Sequence, residues 1–413
     1  MDLQIEQGCP QCGAPVTLFE NDRLLTCPYC GVKNFLQSNG TFRYVLPDKV
    51  AEPDRDHLLY APYIRLKSNL FQVTENRIAH QVIDTTQLGY IMPGLPPTLG
   101  FRPQAMKMGR LVPESKGRFL RLSVKAKVIL DKAVQLSRIN GNRGQAPLHR
   151  AFLGDTISII YLPLRRGESH LLDCVTDHPL VRLDRIASFP LTGTSFNHRW
   201  QVRFLPALCP RCGWNLDGAG DCLVPICSNC ETAWEISDRG LQRLNWRIQP
   251  GDGHTGMYLP FWTIRAHAPE LKIFSFADFI RRTNQPMLPK AEWEERVMRF
   301  LIPAFKLQPK IFLRAARRLT ISQWRLQLDS GQVLPNLYPA NLPRTEARQA
   351  IKVTLAACAA SRKNILPYLP QTRLKNITGS LVYLPFIDKG HDWVQPQTGT
   401  VIAKSVLRFG RGL

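Results

Sequence analysis

The chain is poor in acid. Asp and Glu number 32 against 54 Lys and Arg, and the formal net charge over 413 residues is +22. Such an excess disfavours a basic partner and points to an acidic one, nucleic acid or an anionic membrane surface. A plain soluble basic surface carries the same signature. Long apolar runs are missing as well. No stretch approaches the ~18 apolar residues that a membrane-spanning helix needs. The opening MDLQIEQGCP has neither a basic start nor an apolar core, so it does not read as a signal peptide. The expected location is the cytoplasm. The short catalytic signatures are missing too: His-Glu-x-x-His, Gly-x-Ser-x-Gly, Gly-x-x-x-x-Gly-Lys and Gly-x-Gly-x-x-Gly. "GDGHTG" (251–256) reads as a linker. The expectation is a protein without catalysis, although active sites can be built without short motifs.

What the chain does have is cysteine in ordered pairs. Eleven cysteines in a reducing compartment point to metal ligation rather than disulfides. "CPQCGAPVTLFENDRLLTCPYCG" places Cys9 and Cys12 in one Cys-x-x-Cys turn and Cys27 and Cys30 in another, with fourteen residues between. Zinc takes four thiolates in a tetrahedron, and two such turns at the ends of a hairpin supply them. Gly13 and Gly31 follow the turns, where a positive φ is often needed. Pro10 and Pro28 stiffen them. A redox dithiol is the competing use of one Cys-x-x-Cys pair. The spacing recurs in "CPRCGWNLDGAGDCLVPICSNC" with Cys209, Cys212, Cys227 and Cys230. Here Glu231 stands where the first copy has glycine, and Cys222 lies inside the hairpin as a competing ligand. No ligand position is left open in either copy, so two structural Zn2+ ions are expected.

The repetition extends past the cysteines, and repeats of this kind reveal architecture. "LLYAPYIRL" (58–66) resembles "GMYLPFWTI" (256–264), Tyr60 answering Tyr258. "FRPQAMKM" (101–108) resembles "LIPAFKLQ" (301–308), Pro103 answering Pro303. "SIIYLPLRRGESH" (158–170) resembles "SLVYLPFIDKGH" (380–391), Tyr161 answering Tyr383. The Tyr-x-Pro segments are short, apolar and aromatic, which reads as strand. Their prolines favour an edge, a bulge or a strand end. Shaping a bent sheet is the plainer role for these residues; an aromatic binding groove is the other. The expected fold is α+β: two zinc ribbons, each followed by a mixed, mainly antiparallel β domain with a few helices, the whole an internal duplication. The domains are then 1–40, ribbon; 41–200, first copy; 201–245, ribbon; 246–413, second copy.

Helical spacing marks 344–363, with Ile351, Leu355 and Cys358 on one face, and helices are also expected at 291–301 and 309–319. Strict alternation over 119–130 predicts a strand, with Arg121, Ser123, Lys125 and Lys127 on its polar face. His170, Cys174 and His178 would make a metal face on a helix, but they follow a strand and "TDHP" reads as a turn, so a hairpin is expected there.

Charge is unevenly placed. Residues 101–150 hold 12 basic and 2 acidic residues, and 301–413 hold 17 and 4, while 1–100 and 151–300 are close to balance. Arg121, Lys125, Lys127, Arg314, Arg317 and Arg318 are therefore the candidate contacts to phosphate or another polyanion. A solvated basic face is the plain alternative.

With "CPQCG…CPYCG", "YLPFW", "LIPAF" and "LVYLPF" in view, the chain resembles bacterial tandem zinc-ribbon proteins. Ribbons of this type serve nucleic-acid and protein binding alike, so the fold leaves function open. The expectation is a non-catalytic, zinc-stabilised binding protein that contacts nucleic acid through 101–150 and 301–413. The alternative is an adaptor for a protein assembly, at an anionic membrane surface among other places.

Overall fold

The computed structural model describes residues 3–137, 139, 146–237, 239–324, 326–330 and 333–410. The chain begins with a hairpin, β1 (Gln4–Gly8) and β2 (Pro15–Phe19), whose residues alternate between exposed and buried. β3 (Leu24–Thr26), β4 (Lys33–Ser38) and β5 (Phe42–Val45) follow. Next come the long β6 (Leu59–Val73), β7 (Ile78–Leu88), a single helical turn α1 (Arg102–Ala105), β8 (Met108–Arg110), β9 (Arg118–Phe119) and α2 (Ala126–Leu136). β10 (His149–Arg166), β11 (His170–Asp173), β12 (Pro179–Arg182) and β13 (Val202–Pro206) lead to the second ribbon, with β14 (Ala233–Ser237) and β15 (Gly240–Leu244). The rest is β16 (Trp246–Ile248), β17 (Thr255–His267), α3 (Phe276–Thr283), β18 (Arg299–Pro303), α4 (Pro309–Ser322), β19 (Asp329–Ser330), α5 (Arg344–Cys358), β20 (Lys375–Lys389), β21 (Asp392–Gln395), β22 (Thr400–Ala403) and α6 (Lys404–Gly410). The fold is mixed α+β, as expected.

Two sheets carry the molecule. In the first, β6 and β10 pair antiparallel, with Tyr161 opposite Pro62 and Pro163 opposite Tyr60. β5 runs parallel to β10 and sets Val45 against Tyr161. In the second, β17 and β20 pair antiparallel, with Tyr383 opposite Pro260 and Pro385 opposite Tyr258. β16 runs parallel to β20 and sets Ile248 against Tyr383. Neighbours on the far side are β7 for β6 and β18 for β17.

The prolines lie inside long strands, yet each sits where a neighbouring ladder stops. β7 leaves β6 at Tyr63, and the Pro62 carbonyl accepts the Gly89 N–H at 2.8 Å. β18 leaves β17 at Phe261, and the Pro260 carbonyl accepts the Ala304 N–H at 3.0 Å. Pro163, just past the end of the β11 pairing at Leu164, accepts from Cys174 at 3.0 Å. A residue without an N–H is tolerated at such ends.

Alternation along β6 divides its neighbours. Leu66 and Leu70 join Ala133 and Val134 of α2 in one cluster, while Phe71 and Val73 join the large core that holds Phe312 of α4. Successive residues of a strand face opposite sides, so α2 and α4 lie on opposite faces of the β6–β7 hairpin. Tyr-x-Pro residues are core: Tyr63, Tyr161, Phe261, Trp262 and Tyr383 are all 2% exposed or less. The ribbons also meet. β13 pairs antiparallel with β4 of the first ribbon, and Leu24 and Phe35 share a cluster with Ala207, Leu216 and Trp234.

Four expectations are corrected. The stretch between the first two cysteine turns is not one hairpin, since β2 pairs with β1 and β3 with β4. Residues 119–130 are not a strand: β9 ends at Phe119 and α2 begins at Ala126. Ile129, Ala133 and Val134 are buried at helical spacing, whereas Leu122 and Val128 of the alternating set are 40% and 43% exposed. Residues 291–301 hold only a 3-10 turn, Ala291–Trp293, and then run into β18, because Phe300 and Ile302 are recruited to the sheet beside β17. Tertiary pairing overrides local propensity there. Pro103 and Pro303 do not correspond: the first lies in α1, the second at the end of β18. The helix at 309–319 is present as α4 and that expected over 344–363 as α5, which stops at Cys358, and Ile351, Leu355 and Cys358 are buried.

Candidate metal centres and a cationic cleft

Each Cys-x-x-Cys segment closes on itself. The Gly13 N–H donates to the Cys9 carbonyl at 3.0 Å and the Cys9 N–H to Ala14 at 2.8 Å. The same two bonds recur at Cys27 with Gly31 and Val32, at Cys209 with Gly213 and Trp214, and at Cys227 with Glu231 and Thr232. The closing residue takes a left-handed φ: 74° at Gly13, 73° at Gly31 and Gly213, and 55° at Glu231. Only glycine does this without strain, so Glu231 is the costly member.

These turns bring Cys9, Cys12, Cys27 and Cys30 together, and likewise Cys209, Cys212, Cys227 and Cys230; within each group all Sγ atoms lie within 4.8 Å of one another. Sγ separations of 3.7 Å (Cys9–Cys30, Cys12–Cys27) and 3.5 Å (Cys209–Cys230, Cys212–Cys227) recur. A tetrahedron with metal–sulfur bonds of ~2.3 Å has an edge of about 3.8 Å, so both groups can hold a metal ion. The thiols are unequal without one. The Cys12 backbone N–H draws Cys9 down to about 6. Against the Val32 amide, burial and the neighbouring thiols push Cys30 up to about 12. Four thiolates so close need a cation between them, and Zn2+, which takes four thiolates in a tetrahedral structural site, fits this donor set. Cys222 is buried and outside the group. Among the described residues no third group of this kind occurs. His170 lies on β11, which pairs with β12 as the expected hairpin, and Cys174 is packed among Tyr60, Phe119 and Tyr161.

The cations named from sequence are all exposed: Arg121, Lys125, Lys127, Arg314, Arg317 and Arg318. Lys125 is the N-cap residue of α2, and Arg314, Arg317 and Arg318 share α4. Arg318 Nε donates to the Thr398 carbonyl at 2.6 Å. The two groups do not meet in one groove, since their helices flank opposite faces of β6–β7. Arg121 instead borders a cleft of about 650 Å³ with Phe196, His198, Arg199 and Trp200.

The sequence reading missed a larger feature. A cleft of about 820 Å³ opens between the second ribbon and the second sheet, lined among others by Arg211, Arg243, Arg247, Arg265 and Arg299, with Glu231 the one acid among the described residues that line it. Thr263, Thr378 and Ser380 add hydroxyls. Arg265 lies opposite both Arg299 and Thr378, and Thr263 opposite Ser380, so these side chains share one face of the sheet. Arg299 is lowered to about 10 by burial and by Arg296 and Arg265. The only sequence signal was an Arg two residues after a Thr on a Tyr-x-Pro strand, in a segment whose total charge is nearly balanced.

Among the described residues no helix is long and apolar enough to cross a membrane. Compared with protein-family models, curated proteins and solved structures, the chain matches none of them, and its likeness to zinc ribbons rests on the two four-cysteine centres themselves.

Proposed function

We propose that this chain is a non-catalytic binding protein, held together by two structural zinc ions, whose ligand is a nucleic acid or a comparable polyanion. The observation that carries this reading is a set of cations without acids. Arg121, Lys125, Lys127, Arg314, Arg317 and Arg318 are exposed, and among the described residues none of them stands in an ion pair. Cations left so can neutralise phosphates and release their counterions. Arg121 beside Phe196 and Trp200 adds the mixture of charge and aromatic surface that suits single strands. A reducing, cytoplasmic setting goes with thiols kept for metal.

The same proposal covers the architecture. The halves 41–200 and 246–413, each preceded by its ribbon (1–40 and 201–245), are copies of one unit. Support comes from the reciprocal Tyr–Pro register of β6–β10 and β17–β20 and from the parallel strand beside each. The order β7–β6–β10–β5 is matched by β18–β17–β20–β16.

One observation favours the adaptor reading. Tyr29 and Trp214, on the two cysteine turns, are 70% and 55% exposed, and large exposed aromatics suit protein contacts. A pull-down by the zinc-loaded protein, with and without nuclease, separates the two. The polyanion reading expects co-purifying material that nuclease and salt remove. A salt-tolerant protein complex that survives nuclease is the opposite result and leaves the adaptor.

A further inference from the structure

We propose that the arginine-lined cleft between the second ribbon and the second sheet is a phosphate-binding site, built for a ligand that carries at least two phosphate groups. The inference rests on the polyanion reading for the class of ligand. It adds a place for the closest contacts, away from α2 and α4.

The argument starts from a comparison of the two sheets at matching positions. In the first sheet Arg65 lies opposite Ser158, Lys67 opposite Thr156, and Asp84 on β7 opposite Lys67. There the cationic face is closed by the chain's own carboxylates. Arg65, fully buried, donates from Nε to Glu20 at 2.8 Å and from its Nη1 to Asp84 at 2.5 Å. Ser158 donates to the other oxygen of Glu20 at 2.6 Å. In the second sheet the same register places Thr263 opposite Ser380, Arg265 opposite Thr378, and Arg299 opposite Arg265. Arg299 thus stands where Asp84 stands in the first, so a cation replaces the acid that would have neutralised the face. Neither Arg265 nor Arg299 stands in an ion pair among the described residues. Like charges directly opposite on neighbouring strands destabilise a sheet. The pair is relieved when an anion bridges it.

Three features say that the anion comes from outside. Arg211, Arg243 and Arg247 add cations from the ribbon and from β15 and β16, against the carboxylate of Glu231 alone among the described lining residues. The Thr263 hydroxyl is buried, without a hydrogen-bond partner, and borders the cleft one register row from Arg265. Buried hydroxyls are normally satisfied, so this one is left for a ligand oxygen. The cleft, at about 820 Å³, lies in the usual range for small-ligand sites. Its five arginines suit a short run of phosphates.

The chemistry selects phosphate. Guanidinium groups bind phosphate oxygens through paired N–H donors, and hydroxyls complete the coordination of a tetrahedral anion. A monocarboxylate would neutralise one of five arginines; two or more phosphates match the excess. Two sources supply this chemistry: the backbone of a single-stranded nucleic acid, or a free oligophosphate such as a nucleoside triphosphate.

The test uses the full-length, zinc-loaded chain with two probes, inorganic triphosphate and a ten-residue oligothymidylate, measured by titration calorimetry. The variants are Arg265→Gln/Arg299→Gln, Lys125→Ala/Lys127→Ala and, as control, Lys49→Ala/Arg166→Ala at exposed cations outside both the cleft and the polyanion set. Binding of either probe should weaken at least tenfold in the first variant and less than twofold in the control. Triphosphate that binds and displaces the oligonucleotide assigns the cleft to a free oligophosphate; oligonucleotide binding alone assigns it to a strand. Should the glutamine variant misfold, Arg265→Lys/Arg299→Lys keeps charge but removes the paired donors and should still weaken binding severalfold. Oligonucleotide binding that falls in Lys125→Ala/Lys127→Ala and not in the cleft variants overturns this inference and leaves the polyanion reading standing. No binding of either probe overturns both.

Discussion

At the scale of single residues, the two metal centres carry most of the chemistry. Cys27 is 1% exposed and belongs both to the first centre and to the core of the first sheet, beside Leu25, Leu36 and Met108. Replacing Cys27 by Ser should lower the zinc content from two ions per chain to one, read by elemental analysis. A structural zinc contributes on the order of 10 kcal/mol in small peptides. Here the loss should also loosen the edge of the first sheet, since β1 pairs with β8. Glu231 offers the reverse test. Its φ of 55° is one that glycine adopts freely, and its Oε1 makes one long contact, 3.4 Å, to the Val333 N–H. Glu231→Gly should stabilise the chain by roughly 1 kcal/mol, seen as a higher urea midpoint with an unchanged slope. A lower midpoint would show that the Glu231 side chain holds the ribbon in a way its contacts do not reveal.

At the scale of elements, α2 is the informative case. Its buried side holds Ile129, Ala133 and Val134, the last two packed with Leu66 and Leu70, and its other side presents Lys127 and Val128 to water. Ala133→Asp, 1% exposed before substitution, should cost about 3 kcal/mol through an unpaired buried charge. Lys127→Ala should change stability by less than ~0.5 kcal/mol. Denaturant melts of both variants check this. The same element shows how far the sequence could be read. The cysteine centres were legible because each Cys-x-x-Cys turn is set locally, although each turn of the first centre closes its own hairpin, β1–β2 and β3–β4, rather than one end of a shared one. The Tyr-x-Pro strands were legible because aromatic and apolar residues crowd a short run. Over 119–130, Leu120, Leu122 and Val124 imitate a strand, but that alternation precedes and overlaps the start of a helix face set by Ile129 and Ala133. At 291–301, Glu294, Glu295 and Arg296 suggest a helix, and the pairing of Phe300 and Ile302 with β17 decides otherwise. The arginine cleft left only the Thr263 and Arg265 spacing as a trace in the sequence, because it depends on which residues lie opposite each other, and a strand register is not written in any one segment.

At the scale of the whole molecule, the two halves are joined through buried polar groups. Glu346 of α5 accepts the N–H groups of Gly154 and Asp155, and Lys306, just after β18, donates to Asn21 and Thr156. Burial and the nearby Asp155 push Glu346 up to about 7 from an ordinary 4.5. The folded state therefore favours its protonated form. The stabilising contribution is complete below about 4.5 and is lost as pH rises through about 7. Stability of the natural chain relative to Glu346→Gln should accordingly be greater at pH 5 than at pH 8 in urea melts. An equal difference at both values would place the charge of Glu346 outside the energetics of the joint.

The central claim is that this cationic, zinc-held chain binds a polyanion, and its salt dependence tests that most directly. Affinity of the zinc-loaded protein for a 20-nucleotide single strand should fall linearly on a log–log plot against salt. With roughly six phosphates neutralised the slope is about −4. Lys125→Ala/Lys127→Ala should flatten it by up to about 1.5 units. Absence of binding at low salt, or an affinity indifferent to salt, would contradict the account.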